Sequence, residues 1–201
     1  MVSQTGLFQQ IGDYRIEGPL GEGGVAVVYR ASPVAVAAAG RAADLPDVVA
    51  LKVLKPDATK QPNVLACFQF ESRILKRLQH PGILRNYDAG VDDGRLYTAM
   101  ELIDGASLDH FLLARKRLTE AEAVGIATQI AEALAYLHGL GYVHRDIKPA
   151  NVMLGRDGRA VLFDFGTVIK ASDGAGYEVG LYGTPAFLAP EQIRLGGAGA
   201  A

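Results

Sequence analysis

Along the first half of the chain, apolar positions come in short runs of strand length. Residues 14–31, YRIEGPLGEGGVAVVYRA, predict two strands joined by a glycine-rich turn. Residues 48–54, VVALKVL, are apolar except at Lys52 and predict a buried strand. The segment between them, 32–47, is small, Ala-rich and bounded by prolines, which predicts a loop. Strand-like patterning returns over 83–102 around Asp92-Asp93-Gly94, a hairpin-turn composition. Between these strands, 63–79 shifts to helical spacing. Leu65, Phe68, Ile74, Leu75 and Leu78 mark its apolar face, Pro62 lies just outside its start, and His80-Pro81-Gly82 closes it.

The second half is mostly helical. Residues 104–113 predict the start of a short helix with Ser107 as N-cap. From Thr119 a long helix carries Ile126, Ile130, Leu134 and Leu137 at helical spacing, and Thr119 with Glu122 forms a capping-box pattern. Gly139 and Gly141 stop that helix and release a loop and a short hairpin over 142–166. The fold class expected is α+β: an antiparallel sheet with one helix, then a mostly helical part.

The length of 201 residues fits one large domain or two small lobes. A net charge of −2 implies no general attraction to nucleic acid or acidic membranes. Cys67 is the only cysteine, so an intramolecular disulfide is impossible, which fits a reducing compartment. The N-terminal residues lack the basic start and apolar core of a signal peptide, and no apolar run is long enough to span a bilayer. These features lead us to expect a soluble, cytoplasmic chain with no nucleic-acid partner and no membrane segment.

Candidate chemistry concentrates at a few positions. Gly21, Gly23 and Gly24 let backbone N–H groups approach a ligand, as anion-binding turns do, although glycine-rich hairpins are also common without one. Lys52 interrupts an apolar strand, where an ammonium needs a partner unless the strand is an edge facing water. Most helical glutamates are merely solvated; Glu71 stands out only by its place ahead of His80-Pro81-Gly82-Ile83. Asp146, Lys148 and Asn151 then fall within six residues of one another, and Asp164 follows after an apolar run. The spacing H-R-D-x-K-x-x-N followed by D-F-G is hard to reconcile with an ordinary polar turn.

This segment resembles the catalytic and magnesium-binding loops of the protein kinase family, in its bacterial serine/threonine branch. GEGGVAVV resembles the family's glycine-rich loop with Ala26 in place of the third glycine, VALK resembles the strand lysine motif, and Ala189-Pro190-Glu191 closes the set. The resemblance implies a two-lobed kinase fold with ATP and Mg2+ as cofactors. Leu20, Gly21, Gly23, Gly24, Val28, Ala50, Lys52, Met100, Glu101, Ile103 and Met153 would bind ATP, Lys52 on its phosphates and paired with Glu71. It makes Asp146 the catalytic base, Lys148 a contact to the γ-phosphate, and Asn151 and Asp164 the metal ligands. His144 and Phe165 read as packing residues.

Arg145 would answer a phosphorylated activation loop. Thr167, Ser172, Tyr177 and Tyr182 are candidate phosphosites, whereas Thr184 matches a threonine that contacts the catalytic aspartate and lysine. One departure concerns Asn86, which stands where relatives place an apolar side chain; unpaired burial there would cost about 1–3 kcal/mol.

The resemblance implies an extension over 1–13 and a kinase domain over 14–191. Its N-lobe would run over about 14–101 and its C-lobe over about 104–191, with a flexible tail over 192–201. The C-lobe is expected to be incomplete, because family helices that follow A-P-E have no counterpart here. The function implied is phosphoryl transfer from ATP to protein hydroxyls, with a homodimer as one route to autophosphorylation. The alternative is a truncated or inactive nucleotide-binding or docking module. A small-molecule phosphotransferase of related fold is disfavoured by Arg145, Lys148 and A-P-E, which serve protein substrates.

Overall fold

The computed structural model describes residues 9–34, 45–171 and 184–195. The chain divides into two compact units, one running up to Ser72 and including Asn86–Leu102, the other formed by Arg73–Arg85 and the chain from Ile103 onward.

The first unit holds a six-stranded antiparallel sheet of β1 (Gln10–Ile11), β2 (Tyr14–Glu22), β3 (Ala26–Pro33), β4 (Val49–Leu54), β5 (Asn86–Asp92) and β6 (Arg95–Met100), in the order β1-β2-β3-β4-β6-β5. It begins ahead of the expected residue 14, because Ile11 is fully buried against the sheet and pairs with Tyr14. Irregular register on either side of Pro19 is tolerated because β1 pairs only with Tyr14 and Arg15, which leaves β2 an edge strand at Pro19. The β5–β6 turn forms as the Asp-Gly signal predicts, with Asp93 and Gly94 both at positive φ.

Strand alternation divides this sheet into two chemically distinct faces. Val49, Leu51, Val53, Ala31, Tyr97 and Ala99 pack with Ile11 and Tyr14 on one of them. A Val, Leu or Ile side chain buried in this way contributes about 1.5–3 kcal/mol. The Tyr14 hydroxyl meets its hydrogen-bonding need by donating to Asp88 at 3.2 Å. Beside the sheet lie a one-turn helix, α1 (Pro56–Thr59), and α2 (Pro62–Leu75). Phe68 of α2 packs with Ala26, Leu54 and Ala58 in a second cluster. Helix α2 takes Pro62 as its first residue, where a missing N–H costs nothing. It also ends at Leu75, short of the expected 79; turn-type bonds from Arg77 to Ile74 and from Leu78 to Leu75 finish it.

In the second unit, α3 (Leu108–Arg115) and α4 (Glu120–Gly139) accompany two small sheets. Both halves of the α4 capping box are formed, and Ile130, Ala133 and Leu137 are its buried residues. Gly139 is still helical, so the stop falls at Leu140 and at Gly141 with its positive φ. Residues 105–107, which lead up to the expected N-cap at Ser107, form a short strand, β7 (Gly105–Ser107). They pair with β9 (Val152–Gly155), which pairs with β10 (Ala160–Leu162). A Cβ on Gly105 would overlap the Leu154 carbonyl, so only glycine permits this pairing. Ser107 sits at the N-cap position of α3 but makes no capping bond; its hydroxyl is 2.7 Å from His110 Nδ1.

Gln129 of α4 holds the β9–β10 hairpin, accepting from the Ala160 N–H at 2.9 Å and donating to the Gly158 carbonyl at 3.2 Å. Strand β8 (Tyr142–Val143) pairs with β11 (Ile169–Lys170). A last helix, α5 (Pro190–Leu195), occupies part of the expected tail, and Gln192 within it is buried. Among the described residues, no helix is long and apolar enough to cross a membrane.

Candidate active site

In the first unit, register alone gathers one set of candidates. Gly21 lies opposite Val28, Val28 opposite Lys52, and Ala50 opposite Met100. Directly opposed residues share a face, as do positions two apart, so all five belong to the face away from the apolar cluster of Leu51 and Val53. Gly21 and Gly24 have open space where a Cβ would stand, and neither has a positive φ. Packing and conformation therefore do not explain those glycines, whereas close approach of a ligand would. Leu20 is exposed at the same turn.

Lys52 Nζ meets Glu71 Oε2 at 2.7 Å, joining β4 to α2 across nineteen positions of sequence. Its ammonium also lies 5.8 Å from the centre of the Phe68 ring. The lysine side chain keeps 21% of its exposure while the glutamate keeps 9%, so the pair is partly desolvated. Asn86 is buried; its Nδ2 donates to the Ser72 carbonyl at 3.1 Å, and its Oδ1 has no hydrogen-bond partner. The side chain at that position is therefore half paired rather than wholly unpaired. Glu101 is half-buried just beyond β6.

The second unit assembles the loop candidates. A short 3-10 turn, Pro149–Asn151, folds the chain back so that Asn151 Nδ2 reaches both the Asp146 carbonyl, at 2.9 Å, and Asp146 Oδ2, at 3.0 Å. Lys148 Nζ donates to the same Oδ2 at 2.7 Å and to Thr184 Oγ1 at 2.6 Å. The Thr184 N–H donates to Asp146 Oδ1 at 3.0 Å. Burial pushes the Asp146 carboxyl up, but Lys148, the Thr184 N–H and Asn151 together hold it below its ordinary range. It is an anion at neutral pH, with its position fixed from several sides.

Asp164 is exposed and takes a positive φ of 64°, a conformation that aspartate tolerates better than most residues. The next residue, Phe165, is fully buried and meets His144 edge-on at 5.0 Å. Burial pushes His144 down to about 4, against the pull of Asp164 and Asp146, so it is neutral and packs. Its Nδ1 accepts from the Asp146 N–H at 3.4 Å, while Nε2 is buried without a partner. Ile103 and Met153 are half-buried in this unit, and Met153 lies opposite Ser107 in the small sheet.

Arg145 has a positive φ of 68° and donates from Nε to the Thr167 carbonyl at 2.7 Å. Thr167 donates its hydroxyl to the His144 carbonyl at 2.8 Å. The Gln192 amide donates to the Arg145 carbonyl at 3.1 Å and accepts from the Ala189 N–H, also at 3.1 Å. Gln192 is thus a supporting residue that the sequence did not single out; a polar side chain beside A-P-E carried no signal. Ser172, Tyr177 and Tyr182 lie outside the described residues.

Among the described residues no cluster of three or more His, Cys, Asp or Glu side chains could hold a metal ion. Magnesium presented with a nucleotide takes one or two protein oxygens and completes its shell with phosphate and water. An exposed Asp164 carboxylate and an Asn151 amide supply oxygen donors of that kind.

The protein kinase domain family profile matches residues 14–201. Serine/threonine-protein kinase PkaA of Streptomyces coelicolor is 40% identical over 187 residues, covering 90% of this chain and 34% of that protein. PknJ of Mycobacterium tuberculosis is 38% identical over 185 residues, 90% of this chain and 30% of its own length. The kinase pkn3 of Myxococcus xanthus is 35% identical over 195 residues, 90% and 33% respectively. The chain thus spans about a third of the length of the curated relatives it matches. With the motif spacing, the loop that fixes Asp146 and a profile match over most of its length, this chain belongs to the protein kinase family.

Proposed function

We propose that the chain transfers the γ-phosphoryl group of ATP to serine or threonine hydroxyls of proteins, with magnesium. The observation that carries this reading is the fixed Asp146 carboxylate, held by Lys148, Asn151 and the Thr184 N–H. Phosphoryl transfer needs alignment and charge neutralisation more than covalent help. Asp146 accepts a hydrogen bond from the attacking hydroxyl and orients it. Because neighbours hold its pKa low, it takes the proton only when transfer is far advanced, so alignment is its main contribution.

Lys148, already on Asp146, would contact the γ-phosphate in this reading. Lys52, fixed by Glu71, would hold the α- and β-phosphates, while Leu20, Val28, Ala50 and Met100 of the first unit would line the adenine and the backbone of Glu101 would hydrogen-bond it. Asn151 and Asp164 would hold the metal, which would supply neutralisation of charge on the phosphate oxygens. Arg145 and Thr167 belong to the activation-loop side of the reading.

The test is phosphate transfer from labelled Mg-ATP to a basic protein substrate and to the chain itself. Asp146→Asn is expected to lower transfer by about 10²–10⁴-fold while nucleotide binding is retained. A rate of self-labelling that rises with protein concentration would identify a second copy as a substrate. Nucleotide binding with no turnover in either protein would leave a docking module and sink the kinase reading.

A further inference from the structure

We propose that Asn86 is a positioning residue: it ties the last turn of α2 to the sheet and thereby keeps Glu71 on Lys52. Ser72, whose carbonyl accepts the Asn86 amide at 3.1 Å, directly follows Glu71. It lies in the final turn of α2, where helix carbonyls run out of backbone donors. On its other side Asn86 pairs with Met100, Met100 pairs with Ala50, and Ala50 stands two residues before Lys52 in β4. One ladder of backbone pairs and a single side-chain bond therefore connect the lysine's strand to the backbone beside its carboxylate partner.

The same amide is a poor choice for stability alone. Asn86 is 8% exposed and its Oδ1 has no hydrogen-bond partner, so an apolar side chain would remove an unsatisfied buried acceptor. What an apolar side chain cannot supply is direction. A hydrogen bond weakens steeply as distance and angle change, whereas apolar packing tolerates a helix that slides. Glu71 and Ser72 are adjacent and both buried, so a shift of this turn moves the carboxylate with it.

Cys67, the only cysteine, is exposed on α2 and accepts a spin label that reports motion of this helix. In the full chain, Asn86→Leu is expected to raise label mobility while the denaturant midpoint stays level or rises. Phosphoryl transfer at saturating ATP should fall about fivefold, the factor that one neutral hydrogen bond represents. That loss should vanish in a Glu71→Gln background, and Asn86→Gln, which keeps the amide donor, should recover part of it. If Asn86→Leu does not fold, Asn86→Ala carries the same comparison. An unchanged label spectrum, or an equal loss with and without Glu71, would overturn the proposal. The catalytic arm rests on the kinase reading and the label arm does not. Should the wild-type chain show no turnover, the kinase reading fails and label mobility alone decides this one.

Discussion

Lys52–Glu71 and Lys148–Asp146 both close at 2.7 Å, and each lysine side chain keeps about a fifth of its exposure, yet the chain assembles them by different routes. The first joins a strand to a helix nineteen positions away, so its geometry is only as good as the docking of α2. The second sits in a loop whose own turn brings Asn151 onto the same carboxylate, with Thr184 as the one distant contributor. Length and burial do not separate the pairs; the distance in sequence of what holds them does. A contact that depends on packing can be lost while both residues remain intact. A loop that fixes itself loses its geometry only when one of its members changes.

The largest effect should come from removing what α2 rests on. Phe68 is 6% exposed and packs with Ala26, Leu54 and Ala58. Phe68→Ala is expected to cost about 3–5 kcal/mol in chemical denaturation. At denaturant concentrations where the variant is still folded, a label on Cys67 should loosen. If α2 stays rigid, the first pair does not depend on helix packing and the contrast collapses.

The next prediction concerns pH and the second cluster. His144 is neutral in the fold, with a pKa of about 4, whereas in the unfolded chain it protonates near the ordinary 6.5. Below 6.5 the unfolded chain therefore binds more protons than the native one, and stability falls as pH drops, levelling off near 4. The shift corresponds to a loss of about 3 kcal/mol between pH 7.5 and 4. Denaturation curves across that window should show it in the wild type, and His144→Leu should flatten it. An equal slope in both would mean that other groups dominate.

Much of this second cluster was legible in the sequence because it is local. The spacing of Asp146, Lys148 and Asn151 marks them as one group on a loop, which the structure closes with a 3-10 turn, and Thr119 with Glu122 already contains the helix cap. The Lys52–Glu71 pair was legible only through family resemblance, since nothing in strand or helix periodicity brings position 52 to position 71. What stayed hidden was tertiary. Gly105 looked like the approach to a helix because its close pairing with Leu154 depends on a strand fifty residues away. Asn86 was recognised as out of place, but its bond to the Ser72 carbonyl needed the three-dimensional arrangement. Gln192 gave no sign at all, and its place under Arg145 emerges from the fold alone.

A smaller effect should follow from cutting Lys148 out of its network. Lys148→Met removes a charge-assisted hydrogen bond worth about 1.5–3 kcal/mol in general. It also leaves burial less opposed, so the Asp146 carboxyl should titrate at higher pH. The acid limb of the kcat/KM profile should move up in pH accordingly. Because Asn151 and Thr184 still hold Asp146, the loop itself should stay folded; its collapse would show that the cluster is not fixed from several sides.

The smallest expected effect supplies the control that both clusters need. Thr119 caps α4 through its hydroxyl and the Glu122 N–H at 3.2 Å, far in sequence from Lys52 and Asp146 alike. Thr119→Ala should lower global stability by about 1 kcal/mol. It should leave the Cys67 label spectrum and the acid limb of the rate profile where they were. Glu122 is held at about 2, chiefly by the Thr119 N–H, so what this carboxylate adds is present above pH 4.5 and lost as pH falls toward 2. Thr119→Ala should therefore behave alike at pH 7.5 and pH 5.5, whereas the His144 effect changes across the same interval. If the cap variant loosens α2 or shifts the acid limb, general destabilisation suffices to disturb either pair, and their different assembly would not be what governs them.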